Sequence, residues 1–127
     1  EIDGFGGSLT GSSAYLIQNM HTAARDTLLK KLFTTDGIAL KNIRITIGAS
    51  DFSLDKYTYC DTEGIDNFAI PEIDRRDLLP VLKEILTFNP NLKIIASPWS
   101  APTWMKKDNN GINGGTLIGE SVYDDFA

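Results

Sequence analysis

The residues best placed for chemistry sit just past short apolar runs. Lys93-Ile94-Ile95-Ala96-Ser97 leads at once into Pro98-Trp99-Ser100-Ala101-Pro102-Thr103-Trp104-Met105. Two prolines stiffen a segment that displays two indoles, and rigid aromatic faces suit a sugar. The C–H face of a pyranose packs on the ring while the indole N–H donates to a hydroxyl. The competing role is packing beneath the loop as a small satellite core. Trp99, next to the apolar run, is read as the sugar-facing ring and Trp104 as the packed one. Asp51 holds a comparable place after Ile43-Arg44-Ile45-Thr46-Ile47 and Gly48. Its carboxylate can accept hydrogen bonds from substrate hydroxyls or orient a catalytic group; the usual job of a loop aspartate is a helix cap or Asx-turn. Arg44 is a guanidinium inside an apolar strand and should pair with a carboxylate, within a site or as a structural salt bridge.

Other candidates carry less. Gly4-Phe5-Gly6-Gly7 has neither the spacing of a dinucleotide fingerprint nor the lysine of a phosphate loop, and reads as a closely packed strand and turn. His21 is the only histidine, so a multi-histidine metal site is excluded; its place before a helical pattern suggests a cap or a surface position. Cys60, the only cysteine, excludes an internal disulfide and a cysteine zinc site, and with no nearby histidine in sequence to activate it reads as a packed thiol. No metal or organic cofactor is expected. The formal net charge of −5, with the two signs mixed, argues against non-specific nucleic-acid binding. No apolar run approaches the roughly 18 residues of a membrane span. No signal peptide is visible, because Glu1 leads straight into the glycine-dense segment; that start, without methionine, is read as truncation.

The elements that must carry these residues follow from periodicity. Residues 2–9 read as a glycine-rich first strand, Ser12 to Ile17 as one or two helical turns, and Thr22 to Phe33 as an amphipathic helix with a basic end. Asp36-Gly37 is a stop signal. Ile43 to Ile47 alternates as a second strand. Asp74 to Phe88 returns to helical spacing, with Pro80 tolerated if Asp77 caps the helix. Lys93 to Ser97 reads as a third strand buried on both faces of a parallel sheet. Ser121 to Ala127 opens another helix. The strand-to-helix segments, residues 49–71 and 98–120, are long and carry the unusual residues, whereas the helix-to-strand returns are short. Long loops in a compact domain are usually functional. Alternation of this kind points to a parallel α/β fold, either the first three units of a (β/α)8 barrel, whose strand-to-helix loops build the site, or an open doubly wound sheet.

Gly4-Phe5-Gly6-Gly7-Ser8-Leu9-Thr10, Ile43-Arg44-Ile45 through Ser50-Asp51-Phe52-Ser53, Tyr57-Thr58-Tyr59, and Ala96-Ser97-Pro98-Trp99 through Pro102-Thr103-Trp104-Met105-Lys106, with Asn113-Gly114-Gly115-Thr116-Leu117 after them, together resemble glycoside hydrolase family 30, the glucosylceramidase and β-1,6-glucanase family. The resemblance runs over almost the whole chain. It implies that residues 1–127 are the N-terminal portion, about three β/α units, of a TIM barrel with a retaining mechanism. It implies a β-glucoside or β-glucan substrate, as glucosylceramide or a β-1,6-glucan. The two catalytic glutamates of that mechanism are expected beyond residue 127; Glu63, Glu72, Glu84 and Glu120 match neither. The resemblance also implies that Asp51 and Trp99 bind the sugar undergoing cleavage, and that Arg44 supports the nucleophile. Secretion, a periplasmic or surface location in a bacterium, or a lysosome in an animal would follow. The rival reading is a stand-alone carbohydrate-binding or structural module with no exposed strand edge. The barrel fragment should instead have a bare third-strand edge and self-associate in isolation.

Overall fold

Gly6 sets the first close contact: a Cβ there would collide with the Asn42 carbonyl oxygen, so glycine lets the first strand lie against the second. The computed structural model describes residues 2–108 and 114–127. Strand β1 is Gly6–Ser8, shorter than residues 2–9, because pairing with the second strand runs only from Gly6 to Ser8. Thr10 then caps helix α1 (Gly11–Gln18), its hydroxyl accepting from the Ser13 N–H at 3.3 Å. Helix α2 (Thr22–Phe33) has His21 as N-cap residue without a side-chain capping bond, and Lys30 and Lys31 in its last turn, where cations suit the helix dipole. Strand β2 is Asn42–Ile47, helix α3 Leu79–Phe88, strand β3 Lys93–Pro98, and a short α4 covers Tyr123–Phe126. Asn113, part of the glycine-rich motif, lies outside the described residues, as does Glu1.

The three strands form one parallel sheet in the order β1-β2-β3. Ser8, Arg44 and Ile95 are in register, as are Gly7, Ile43 and Ile94. Side chains alternate across a strand, so one face carries Ile43 and Ile45 and the other Arg44 and Thr46. The first face is covered. Leu9, Ile43 and Leu92 pack there with Ala14 of α1, Leu29 and Phe33 of α2, and Val81, Leu82 and Ile85 of α3. Truncating a fully buried member such as Ile85 should cost about 2–5 kcal/mol. An ion pair ties the outer helices, with Arg25 Nε 2.9 Å from Glu84 Oε2. No helix among the described residues is long and apolar enough to cross a membrane.

Two expectations are corrected. Strand β3 is not buried on both faces: Ile94 is 40% and Ile95 59% exposed. Within the described residues it pairs only with β2, at the edge of the three-stranded sheet. Nor does Asp77 cap a helix at Pro80. Helical backbone already runs through a π turn, Asp74–Leu78, in which the Leu79 N–H reaches the Asp74 carbonyl. The wider turn just before Pro80 accommodates a residue that would clash with the carbonyl four back, and Pro80 falls in the first turn of α3. The Asp77 carboxylate is instead gripped by Arg76, at 2.9 Å from Nε and 2.6 Å from Nη2.

Candidate active site

Arg44, Asp51 and Trp99 line one recess of about 190 Å3 at the C-terminal ends of the strands, with Ser8 and Thr10 of the first unit and Phe52 completing the wall. Each is placed by its own element. Arg44 stands on the uncovered face of β2, which is why an arginine is tolerated inside an apolar strand. Its partner is not the expected carboxylate. Nη2 and Nε donate to Ser97 Oγ at 2.9 and 3.2 Å, and the guanidinium lies 5.8 Å from the centre of the Trp99 ring. Register explains this: Arg44 faces Ile95, and Ser97 is the next residue on the same face of β3. No carboxylate pairs with Arg44 among the described residues.

Asp51 crests a turn that other residues hold. The Ser50 hydroxyl accepts from the Phe52 N–H at 3.1 Å, Ser53 Oγ accepts from the Ser50 N–H at 3.0 Å, and the Phe52 carbonyl accepts from the Ser12 N–H of α1 at 3.0 Å. Serines thus do the work an Asx-turn would have given to Asp51. Its exposed carboxylate takes no hydrogen bond from a described residue, which leaves both oxygens for a ligand.

The two tryptophans differ in burial. Trp99 is 41% exposed at the end of β3. Trp104 packs on the small cluster of Ala101, Met105 and Val122, and its indole N–H donates to the Cys60 carbonyl at 2.8 Å. Cys60 is buried, with Sγ near the Gly64 and Thr62 carbonyls; burial, then Asp61 and Asp125, push its thiol up from the ordinary value. That environment suits an inert thiol.

The long segment after β2 holds what the sequence does not announce. Tyr57 Oη donates to Asp74 Oδ1 at 2.7 Å and Tyr59 Oη to Asp74 Oδ2 at 2.6 Å. Desolvation first, then the Asp74 carboxylate, raise both phenols above their usual value, and the Gly48 backbone amide opposes this at Tyr59. The Tyr-x-Tyr spacing, which puts both rings on one side of an extended segment, is the one sequence signal for this arrangement.

None of Glu63, Glu72, Glu84 and Glu120 lines the recess, and Asp51 is the one carboxylate among its described walls. No group of three or more histidine, cysteine, aspartate or glutamate side chains among the described residues is arranged to hold a metal ion. The recess can therefore bind and orient a hydroxylated ligand, offering an indole face, an acceptor and a guanidinium.

Residues 2–126 match the model of the Glycosyl hydrolase family 30 TIM-barrel domain. The chain is 35% identical over 125 residues to the lysosomal acid glucosylceramidase of Mus musculus, covering 94% of this chain and 24% of that protein. It is 36% identical over 129 residues to an endo-1,6-beta-D-glucanase of Aspergillus fumigatus, covering 91% of this chain and 26% of that protein. Among solved structures, an endo-beta1,6-glucanase superposes with a TM-score of 0.88 at 44% identity, over 98% of this chain and 29% of that one. SrfJ from Salmonella typhimurium gives 0.91 at 32%, over 99% and 28%. The chain thus spans about a quarter of the length of the curated relatives it matches. Strand order alone fits a barrel or half of a doubly wound sheet; similarity at these identities decides for the barrel, and the chain belongs to glycosyl hydrolase family 30, as part of its TIM-barrel domain.

Proposed function

We propose that this chain supplies one wall of the active site of a retaining β-glycosidase that cleaves β-glucosidic bonds. The observation that carries the proposal is the meeting of Trp99, Asp51 and Arg44 in one recess at the strand C-termini, the end at which barrel enzymes place their chemistry. In this reading Trp99 stacks on the sugar ring and Asp51 accepts from its hydroxyls. The Arg44 guanidinium keeps a nearby nucleophilic carboxylate ionised and aligned. Retaining hydrolysis uses two carboxyl groups about 5 Å apart. One protonates the departing glycosidic oxygen as the other attacks the anomeric carbon; water then cleaves the glycosyl-enzyme with the first acting as base. A single carboxylate in the described wall cannot fill both roles, so the proposal puts the acid/base and the nucleophile on segments outside these 127 residues. The mechanism requires no cofactor.

Of the two substrates we favour a β-1,6-glucan, supported by the 44% identity to a solved endo-beta1,6-glucanase, although the curated relatives are equally similar at 36% for a glucanase and 35% for the mouse glucosylceramidase. For location we favour secretion or the cell surface in a bacterium and the lysosome in an animal; the name of the mouse relative supports the latter. The test is substrate release by the whole protein that carries these residues. A β-1,6-glucan should yield reducing ends faster than glucosylceramide yields glucose, while the isolated 127-residue chain turns over neither. Turnover of an aryl β-glucoside by the isolated chain would overturn the placement of the catalytic pair. Sugar binding by the whole protein without hydrolysis would favour a carbohydrate-binding module.

A further inference from the structure

We propose that Asp74 is a positioning residue of the candidate site, its two carboxylate oxygens taking both tyrosine hydroxyls and so fixing the loop that presents Asp51. Asp74 is 3% exposed and forms no ion pair among the described residues. A carboxylate buried without a cation needs strong donors. It has two, at 2.7 and 2.6 Å, one on each oxygen, in the short range of charge-assisted O–H···O− bonds. Neither phenol can move without stranding an oxygen, so both rings are located from the π turn that opens the helix.

Tyr57 is also where the loop returns to the sheet. Its carbonyl accepts from the Ala49 N–H at 2.9 Å, closing a loop whose crest is Asp51 and Phe52. Gly48, at the end of β2 with φ +82°, packs directly beneath: a Cβ there would meet the Tyr57 carbonyl oxygen at 3.3 Å and the Thr58 Cα at 3.4 Å. Tyr59 closes the next stretch, its carbonyl accepting from the Ala69 N–H at 2.7 Å and its ring meeting Phe68 edge-on at 5.9 Å. One side chain thus anchors the neck of the loop against the strand end, beneath the crest that Ser50, Ser53 and Ser12 shape. The catalytic consequence rests on the glycosidase reading; the mechanical part does not.

The experiment separates position from stability in the whole protein that carries these residues. Tyr57→Phe/Tyr59→Phe leaves the buried Asp74 charge unsatisfied and removes the tie. Adding Asp74→Asn removes the charge but leaves the tie broken. The double variant should lose stability, and the triple variant should recover most of its urea midpoint. Both should exchange the amide hydrogens of residues 49–57 at least tenfold faster, with those of β2 unchanged. Both should also show kcat/KM for a β-glucan lowered about tenfold per folded molecule. Activity returning together with stability in the triple variant would mean that Asp74 is merely structural and would overturn the proposal. So would unchanged exchange of residues 49–57. If the unsubstituted protein cleaves no β-glucan or β-glucoside, the functional reading fails, and the exchange measurement alone decides whether Asp74 positions the loop.

Discussion

Trp99→Ala separates a sugar platform from a core residue. A tryptophan side chain carries roughly 250 Å2 at most, so with Trp99 41% exposed about 100 Å2 faces the recess. At about 25 cal/mol per Å2, covering all of it would stabilise a complex by roughly 2.5 kcal/mol. One pyranose covers one face, about half of that area, which amounts to roughly 1.3 kcal/mol. The expected loss on truncation is therefore about 1.3 kcal/mol, a roughly tenfold weaker Kd. The fold should be little affected, because Trp99 belongs to neither buried cluster. Its contact with Arg44 is an exposed cation–π pair, contributing about 0.5–1 kcal/mol. The assay pairs calorimetric titration of a β-glucan oligosaccharide with urea unfolding, in the whole protein carrying these residues. A collapsed unfolding midpoint with affinity within twofold of the original in the folded fraction would refute the platform and make Trp99 a core residue.

Asp51→Ala should weaken the same titration by about 1.5–3 kcal/mol, the range for hydrogen bonds to a charged group, and shift stability by less than about 0.5 kcal/mol, since the turn beneath it is made by Ser50 and Ser53. Alkaline unfolding should expose the tyrosine tie. Both phenols are raised above their usual value in the folded chain, so below pH about 10 both states hold the proton and the stabilisation is complete. Above it the unfolded chain releases protons that the folded chain retains. Stability then falls by at most about 1.4 kcal/mol per pH unit for each phenol, and by less because both are only half-buried. Urea midpoints between pH 9 and 11 should fall more steeply than in Tyr57→Phe/Tyr59→Phe; parallel slopes would refute the tie. The isolated 127-residue polypeptide should self-associate through the outer edge of β3, where Ile95 is 59% exposed, and a clean monomer by ultracentrifugation at tens of micromolar would count against it.

Periodicity made the three strands, α2 and most of α3 legible, because each buries one face of a regular pattern in the common core. Asp51 and Trp99 meet for a different reason. Both lie just past strand ends, and parallel neighbours in register bring successive strand ends together, so two residues about fifty positions apart in sequence line one recess. What could not be read depends on partners brought in from elsewhere. Arg44 had to have a partner, but that it is Ser97 follows from the β2–β3 register, which no local pattern specifies. Asp74 reads as an ordinary first-turn acid until the tyrosines 15 and 17 positions earlier are seen on its oxygens. Pro80 does fall in the first turn of α3, but the turn before it is a π turn rather than a cap by Asp77, and no local pattern in the sequence specifies that wider turn.

The face that lacks helices explains why the site lies where it does. An arginine at position 44 would be intolerable on the other face, among Leu29, Val81 and Ile85, because a guanidinium there would be desolvated without a partner. On the uncovered face it reaches Ser97 and lies against Trp99, so the charge is held by one residue of the neighbouring strand and one just past its end. That arrangement keeps the guanidinium pre-oriented while committing none of its charge to a carboxylate within the described chain. A permanent Arg–Asp pair would have neutralised it. A cation fixed by a hydroxyl and an indole remains able to act on an anion brought in from another strand, which is the property a nucleophile-supporting arginine needs. Among the described residues no carboxylate pairs with Arg44, which is the arrangement the proposed nucleophile-supporting role calls for.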